Sequence, residues 1–286
     1  MLTHDLHQHL WPSVFVEALR ARSAPPLLRA DELVTPEGAF AVALRDHDPE
    51  ARLAQLDRDG IDVAVLSLQP TLGIELLPAD ERDALEEAWI EGVRGLVSAA
   101  GGRFRALAPW RVLDGFAGTS VGASALLGQG RGAEVLAEVD HRGGLVFVHP
   151  EAEGPPSAGR PDWWSWIAGY TGQMQRAYLA WLGGGRDAHR ALTIVFAQLA
   201  GGGPIQHERL AHRGVTAVRD GRTLVETSTY GPRAIELCID ALGAEQVLYG
   251  SDAPVVDPRP TLAAVKGCGD PVARLLLVEN PRRLLG

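Results

Sequence analysis

Leu145-Val146-Phe147-Val148 is an uninterrupted apolar run that ends at His149-Pro150. Such a run is typical of a strand buried on both faces, as in a parallel sheet. Similar short runs recur with helical patterns between them, and they predict eight strands at residues 2–6, 63–67, 105–108, 120–123, 145–148, 193–197, 223–226 and 246–249. Strands and helices that alternate over 286 residues predict a single (β/α)8 TIM barrel, a fold of about 250 residues.

The sequence also marks where helices begin and end. Asp48 is a favourable capping residue before Pro49, and Gly60 ends that helix directly before the second strand. Residues 78–100 and 232–242 are predicted to form further helices. Two segments are too long for a bare barrel. Residues 24–48 are an insertion expected to form a small hairpin over the barrel mouth, and residues 151–192 combine a polar loop with a tryptophan-rich helical stretch.

The composition excludes several classes of protein. Hydrophobic residues make up 46% and charged residues 22% of the chain, which excludes disorder or a coiled coil for the chain as a whole. A net charge of −9 disfavours nucleic-acid binding, which depends on basic patches. The sequence shows no membrane-spanning apolar run and no secretory signal, so we expect a cytoplasmic protein without a membrane partner. The cysteines Cys238 and Cys268 do not form a disulfide framework or a CxxC zinc motif.

His7 and His9 stand at the end of the first predicted strand. Side chains two residues apart on a strand project to the same face. His149 directly follows the fifth strand, and Asp252 lies just beyond the eighth. Because active sites of these barrels form at the carboxyl ends of strands, the four side chains are predicted to converge at one mouth. Three imidazoles and one carboxylate can hold a divalent metal and leave space for water or a substrate.

An ordered set of motifs along the chain resembles one enzyme family. The motifs are Asp5-Leu6-His7-Gln8-His9, His149-Pro150, Gly250-Ser251-Asp252-Ala253-Pro254 and Glu279-Asn280-Pro281-Arg282-Arg283-Leu284-Leu285. Nearly the whole chain is similar to the amidohydrolase-related family, in the branch with aminocarboxymuconate semialdehyde decarboxylase, resorcylate decarboxylases and dicarboxylate lactonases. The resemblance implies a (β/α)8 barrel and one divalent metal, usually zinc, at the positions of His7, His9, His149 and Asp252. Manganese is the alternative metal, and a homodimer or larger assembly is expected.

Gln198 departs from the pattern of that family. The family carries a histidine at the end of the sixth strand, whereas this chain reads Phe196-Ala197-Gln198-Leu199. An amide orients a water or a substrate oxygen but does not titrate, so it cannot serve as a general acid or base. We predict that Gln198 faces the site in a catalytic, orienting role. The alternative is that Gln198 packs against a loop and that His207 or His212 supplies the proton.

Four residues at strand ends are candidates for substrate contact. Trp11 follows the histidine pair and is placed to pack on a planar substrate, and Gln69 follows the second strand. Arg111 follows the third strand and Arg233 the seventh, where a guanidinium can hold a substrate carboxylate through two parallel hydrogen bonds. The alternatives are structural packing for Trp11 and a salt bridge to a loop for each arginine.

The leading hypothesis is a metal-dependent hydrolase of a small cyclic, amide or lactone-like substrate that bears a carboxylate. A bound metal lowers the pKa of a water molecule and polarises a carbonyl, and Asp252 would be both ligand and proton acceptor. The absent sixth-strand histidine favours hydrolysis over a first alternative, non-oxidative decarboxylation of an aromatic or enoic acid. The second alternative is a non-catalytic descendant that binds a small molecule without turnover.

Overall fold

The computed structural model describes residues 1–128, 131–155, 159–161, 163–216 and 219–286. Strands in these residues are β1 (His4–Gln8), β2 (Leu27–Arg29), β3 (Glu32–Thr35), β4 (Gly38–Ala41), β5 (Val63–Leu66), β6 (Phe104–Pro109), β7 (Gly118–Gly122), β8 (Leu145–His149), β9 (Thr193–Phe196), β10 (Thr223–Glu226) and β11 (Val247–Leu248). Within the described residues, the central sheet has eight strands in the order β1-β5-β6-β7-β8-β9-β10-β11.

Every pairing recorded between neighbouring strands of this sheet is parallel. The first and last strands meet and bring the sheet close to a closed barrel. The Leu6 amide donates to the Tyr249 carbonyl at 3.0 Å, and the His9 amide donates to the Ala253 carbonyl at 2.7 Å. Strands β5 and β8 are buried along their whole length. The predicted (β/α)8 barrel is confirmed.

Helices surround the barrel. They are α1 (Ser13–Arg20), α2 (Pro49–Asp59), α3 (Ala79–Ala99), α4 (Gly132–Arg142), α5 (Tyr170–Ala180), α6 (Arg186–Ala188), α7 (Leu199–Gly202), α8 (His207–Ala211), α9 (Pro232–Leu242), α10 (Pro258–Gly267), α11 (Asp270–Arg274) and α12 (Asn280–Leu285). Short 3-10 turns span Leu44–His47, Pro70–Leu72, Ile74–Leu76, Ala123–Leu127, Gly203–Gln206 and Ala244–Gln246, and π turns span Ser165–Gly169, Trp181–Gly185 and Leu275–Glu279. None of the helices in the described part of the chain has both the length and the apolar character needed to cross a membrane.

The start of α2 follows the predicted capping chemistry. The side chain of Asp48 accepts a hydrogen bond from the Ala51 amide at 2.8 Å, and Pro49 occupies the first turn. Gly60 then ends the helix with φ +72°, a left-handed conformation that favours glycine. The chain can therefore enter β5 within three residues of the helix end.

The first strand lies two residues later than predicted. It runs from His4 to Gln8 rather than over residues 2–6. The apolar pattern missed this shift because β1 carries polar side chains that are nevertheless buried. His7 is consequently inside the strand, and His9 follows its end.

The insertion at residues 24–48 contains three strands rather than a two-stranded hairpin. Strands β2, β3 and β4 form an antiparallel sheet of that order, and the 3-10 turn Leu44–His47 follows it. Phe40 on β4 lies 6.2 Å, between ring centroids, from Trp166 of the π turn before α5. The insertion and the tryptophan-rich segment therefore meet on one side of the barrel.

Candidate active site

Four side chains at the carboxyl ends of the strands converge on one point. His7, His9, His149 and Asp252 each offer a ligand atom, and these atoms all lie within 4.8 Å of one another. The Nε2 atoms of His7 and His9 are 3.0 Å apart. Asp252 Oδ1 lies 3.1 Å from His9 Nε2 and 3.5 Å from His7 Nε2. The structure thus brings together the predicted metal-binding set, which we call the four-residue cluster.

The chemistry of this donor set fits a metal ion. The Nδ1 atoms of the imidazoles face acceptors: His7 Nδ1 lies 3.0 Å from Glu226 Oε1, His9 Nδ1 lies 2.9 Å from the Ser67 carbonyl, and His149 Nδ1 lies 2.7 Å from the Pro150 carbonyl. This places the proton on Nδ1 and the lone pair on Nε2, the usual arrangement of metal-ligating histidines. The Nε2 atom of His149 is buried and has no hydrogen-bond partner. A divalent cation would satisfy it.

The electrostatics of the cluster favour the same occupant. Burial acts to raise the pKa of Asp252, but His7, His9 and His149 lower it to about 2, so the carboxylate is ionised at neutral pH. Burial lowers the pKa of His9, and burial together with its histidine neighbours lowers the pKa of His149 well below the usual value. Burial also opposes charge on His7, but the Asp252 and Glu226 carboxylates outweigh it and raise its pKa. The carboxylates therefore stabilise positive charge at this point.

Glu226, at the end of β10, is a candidate site residue that the sequence analysis missed. It is fully buried and accepts hydrogen bonds from His7 Nδ1, from the backbone amide of Gln198 at 2.8 Å, and from the amide and hydroxyl of Ser228 at 2.6 and 2.7 Å. Gly250 makes room for it, since a Cβ atom there would lie 2.1 Å from Glu226 Oε2. The sequence feature that could have indicated Glu226 is a carboxylate directly after Leu224 and Val225, at the end of a predicted strand.

Left-handed backbone marks the loops around this mouth. Trp110, Gln198, Thr229 and Asp252 have φ of +52°, +53°, +66° and +64°, and they follow β6, β9, β10 and β11. Such conformations cost residues other than glycine about 1 kcal/mol or more, and they cluster at functional sites. At Asp252 this conformation turns the chain just after β11, where the carboxylate lies against His7 and His9.

A cavity of about 780 Å³ opens on the cluster, a volume typical of small-molecule sites. His9, His149 and Asp252 line it. The aromatic part of its wall consists of Trp11, Phe40, His47, Trp166, Tyr170 and Tyr230. The ring of Trp11 stacks on His47 at 4.1 Å between centroids with an interplanar angle of 10°. The cavity therefore offers flat apolar surfaces beside the candidate metal site.

The predicted substrate residues divide into two groups. Trp11 and Gln69 line the cavity, and Trp11 Nε1 donates to Gln69 Oε1 at 2.6 Å. Arg111 instead binds Glu86 and Glu87 of α3, each at 2.5 Å, and Arg233 is exposed at the start of α9. Neither arginine is part of the described cavity wall. Their placement is against the predicted carboxylate clamp. Arg111 forms a salt bridge, as its alternative predicted, but with helix α3 rather than with a loop.

Gln198 lines the same cavity as the cluster. The two histidines considered as its substitutes do not. His207 Nε2 lies 2.8 Å from the Tyr178 hydroxyl, and His212 is exposed. Neither belongs to the described cavity wall, so the geometry favours Gln198 over both of them at the site.

The amidohydrolase family model matches residues 4–286. The chain belongs to the amidohydrolase family. This confirms the resemblance seen in the motifs. A curated relative of this amidohydrolase is 2-amino-3-carboxymuconate-6-semialdehyde decarboxylase of Dictyostelium discoideum, which is 23% identical over 282 residues that cover 84% of this chain and 77% of the relative.

Solved structures of similar fold cover almost the whole of this amidohydrolase. Apo IDCase of Metarhizium anisopliae has a TM-score of 0.77 and 19% identity, and the match covers 99% of this chain and 97% of that one. Dihydroxybenzoic acid decarboxylase of Polaromonas, solved with manganese and the inhibitor 2-nitroresorcinol, has a TM-score of 0.71 and 16% identity, with 99% and 96% covered. These structural matches support the barrel fold of the chain.

Proposed function

We propose that this amidohydrolase catalyses the metal-dependent, non-oxidative decarboxylation of a small unsaturated acid. The observation that carries the proposal is the aromatic-walled cavity that opens on the four-residue cluster. Its flat walls suit a planar acid, and the cluster suits the acid's carboxylate. The Dictyostelium relative and the Polaromonas protein are both named as decarboxylases. The comparisons thus support the decarboxylase alternative better than the hydrolase interpretation that the absent histidine favoured.

Three imidazole nitrogens and one carboxylate oxygen suit a divalent ion such as zinc or manganese. When bound, such an ion supplies positive charge that binds and polarises the acid. We keep zinc as the first expectation and manganese as the second, because the manganese in the Polaromonas structure belongs to that protein. Metal analysis of the purified protein decides between them.

We assign the transfer of the proton that decarboxylation requires to residues of the chain itself. In decarboxylation the carbon–carboxylate bond breaks, carbon dioxide leaves, and a proton takes its place on that carbon. The side chain of Asp252 keeps 8% exposure on the cavity wall, whereas those of His7 and His9 are fully enclosed. Asp252, ionised at neutral pH, would accept a proton from water or a substrate hydroxyl and deliver it to the carbon. The amide of Gln198 would orient a substrate oxygen without titrating.

The experiment measures two products from one metal-loaded sample. We expect carbon dioxide release from 2,6-dihydroxybenzoate or a related hydroxybenzoate. Lactones and amides, assayed for acid release, are expected to be inert. The Asp252→Asn variant serves as the control for the site. Acid release from a lactone or amide without any carbon dioxide would contradict the proposal and restore the hydrolase hypothesis, and silence with every compound would favour the non-catalytic one.

The homodimer and the cytoplasmic location expected from the sequence stay predictions. Light scattering on the purified protein measures the first, and fractionation of the source cells measures the second.

A further inference from the structure

The described wall of the cavity contains no arginine or lysine side chain. The residues that the structure does not describe include no arginine or lysine either. They are Gln129, Gly130, Pro156, Ser157, Ala158, Asp162, Ala217 and Val218. A substrate carboxylate that lies away from the four-residue cluster would therefore have no cationic side chain of this chain on the cavity wall to pair with.

Two arginines contact Asp46 of the cavity wall without being part of the described wall themselves. Arg52 is buried and donates to Gln8 Oε1 at 2.8 Å and to the Asp46 carbonyl at 2.7 Å. The side chain of Arg45 is 88% exposed, with its Nε 3.7 Å from Asp46 Oδ1 at the rim. His47 lines the wall, but burial and the neighbouring Arg52 lower its pKa to about 3, so its ring is neutral at physiological pH. On the described wall itself, positive charge for an anion would come only from a cation held at the four-residue cluster.

The wall instead carries carboxylates. Glu37 of the insertion lines the cavity and is buried. Its Oε2 accepts a hydrogen bond from the Tyr170 hydroxyl at 2.5 Å, and its Oε1 accepts one from the Glu153 amide at 2.6 Å. Burial outweighs these two hydrogen bonds and raises the pKa of the Glu37 carboxyl, but both of its oxygens stay acceptors toward Tyr170 and Glu153. Asp46, half exposed at the rim, is a second carboxylate on the wall.

We propose, resting on the proposed function, that the substrate is a monoacid. Its one carboxylate binds at the cluster, and the part near Glu37 and Tyr170 is uncharged and donates hydrogen bonds, as a phenol or an arylamine does. A second carboxylate would lose water without a cationic partner and would lie near like charge, and both effects oppose binding. The chain would differ in substrate class from the Dictyostelium relative. The substrate in that relative's name has two carboxyl groups, one from muconate semialdehyde and one from the 3-carboxy substituent.

The experiment compares two ligands on one ring, 2-hydroxybenzoate and 4-hydroxyisophthalate, which adds a second carboxylate. Binding to the metal-loaded protein is followed by calorimetry and by tryptophan fluorescence, because Trp11 and Trp166 line the cavity. We expect the diacid to bind about tenfold more weakly or worse, as like-charge contact in a confined site predicts. Glu37→Gln should narrow the ratio of the two affinities, and Glu134→Gln, an exposed residue of α4, should leave it unchanged.

The outcomes separate the two proposals. Equal or tighter binding of the diacid overturns the monoacid inference, even if decarboxylation is observed. Preferential binding of the monoacid without carbon dioxide release from any acid supports the inference and defeats the proposed function. If neither ligand binds at millimolar concentration, the monoacid inference fails, and the proposed function is judged separately by carbon dioxide release. Should Glu37→Gln not fold, the wild-type comparison still decides, and Asp46→Asn at the rim provides the second variant.

Discussion

Replacing Glu226 with glutamine removes the charge behind His7 while keeping nearly the same side-chain volume. In the native site, Glu226 Oε1 accepts from His7 Nδ1, from the Gln198 amide and from the Ser228 hydroxyl, and Oε2 accepts from the Ser228 amide. A glutamine keeps one acceptor oxygen. Its best placement puts that oxygen at the Oε1 position, so the NH2 group faces the Ser228 N–H and that hydrogen bond is lost.

The expected loss of metal affinity in Glu226→Gln follows from the change around His7. In the variant, His7 keeps an acceptor for Nδ1–H but loses the anionic partner that orients the ring and raises the basicity of Nε2. Removal of such a partner typically weakens metal binding about 10- to 100-fold, or roughly 1.4–2.7 kcal/mol. The buried amide left facing a donor costs the fold about 1–3 kcal/mol. We therefore expect a folded variant with weaker metal binding.

The assay is competition for Zn²⁺ or Mn²⁺ against a chromophoric chelator, with circular dichroism and a thermal melt as checks of the fold. Glu236→Gln is the matched control, because Glu236 is exposed on α9, the helix that follows β10. The control is expected to bind metal like the wild type. A folded Glu226→Gln protein whose metal affinity stays within twofold of the wild type would refute the assigned role of Glu226.

Three further predictions concern other residues of the mouth. Asp252→Asn should abolish most decarboxylation and leave the barrel folded, because buried strands carry the fold; a variant with full turnover in the carbon dioxide assay would rule out its proton role. Gln198→His should add a limb near pH 6.5 to the pH–rate profile, and an unchanged profile would argue that position 198 lies out of reach of the substrate. Burial, with Arg52 nearby, lowers the pKa of His47 in the folded protein to about 3 from 6.5. Between these two pH values the unfolded chain therefore binds one more proton than the folded protein. The free energy of unfolding is consequently highest above pH 6.5 and falls as the pH drops. The loss from pH 8 to pH 5 is about 2 kcal/mol, and denaturant unfolding of His47→Gln should show a correspondingly flatter pH dependence; an equal slope in both proteins would contradict it.

The sequence by itself determined the barrel and the four-residue cluster. Both depend on local regularities: apolar runs that alternate with helical patterns, and the rule that side chains two apart on a strand share a face. His149 and Asp252 joined the cluster because the carboxyl ends of parallel strands meet at one mouth. The helix bounds at Asp48 and Gly60 followed from capping chemistry, which is also local.

The direction of side chains beyond the strand ends was decided by tertiary structure. Arg111 follows β6 as predicted, yet Trp110 before it adopts a left-handed conformation and the guanidinium binds Glu86 and Glu87 on α3. These partners lie more than twenty positions earlier in the chain, and no local pattern links them to Arg111. The end of a strand specifies where the backbone of the next residue lies, but it does not specify the direction in which the loop turns.

The contacts that support the site were likewise beyond the sequence. Glu226 and His7 are separated by 219 positions, and Glu37 and Tyr170 by 133. Each pairing exists because the barrel closes or because the insertion folds over the mouth, and each is selected by burial, which leaves a carboxylate no water and requires a donor. The sequence therefore determined which strand ends meet at the mouth, and the packed structure decided which side chains face the cavity and what charge it presents.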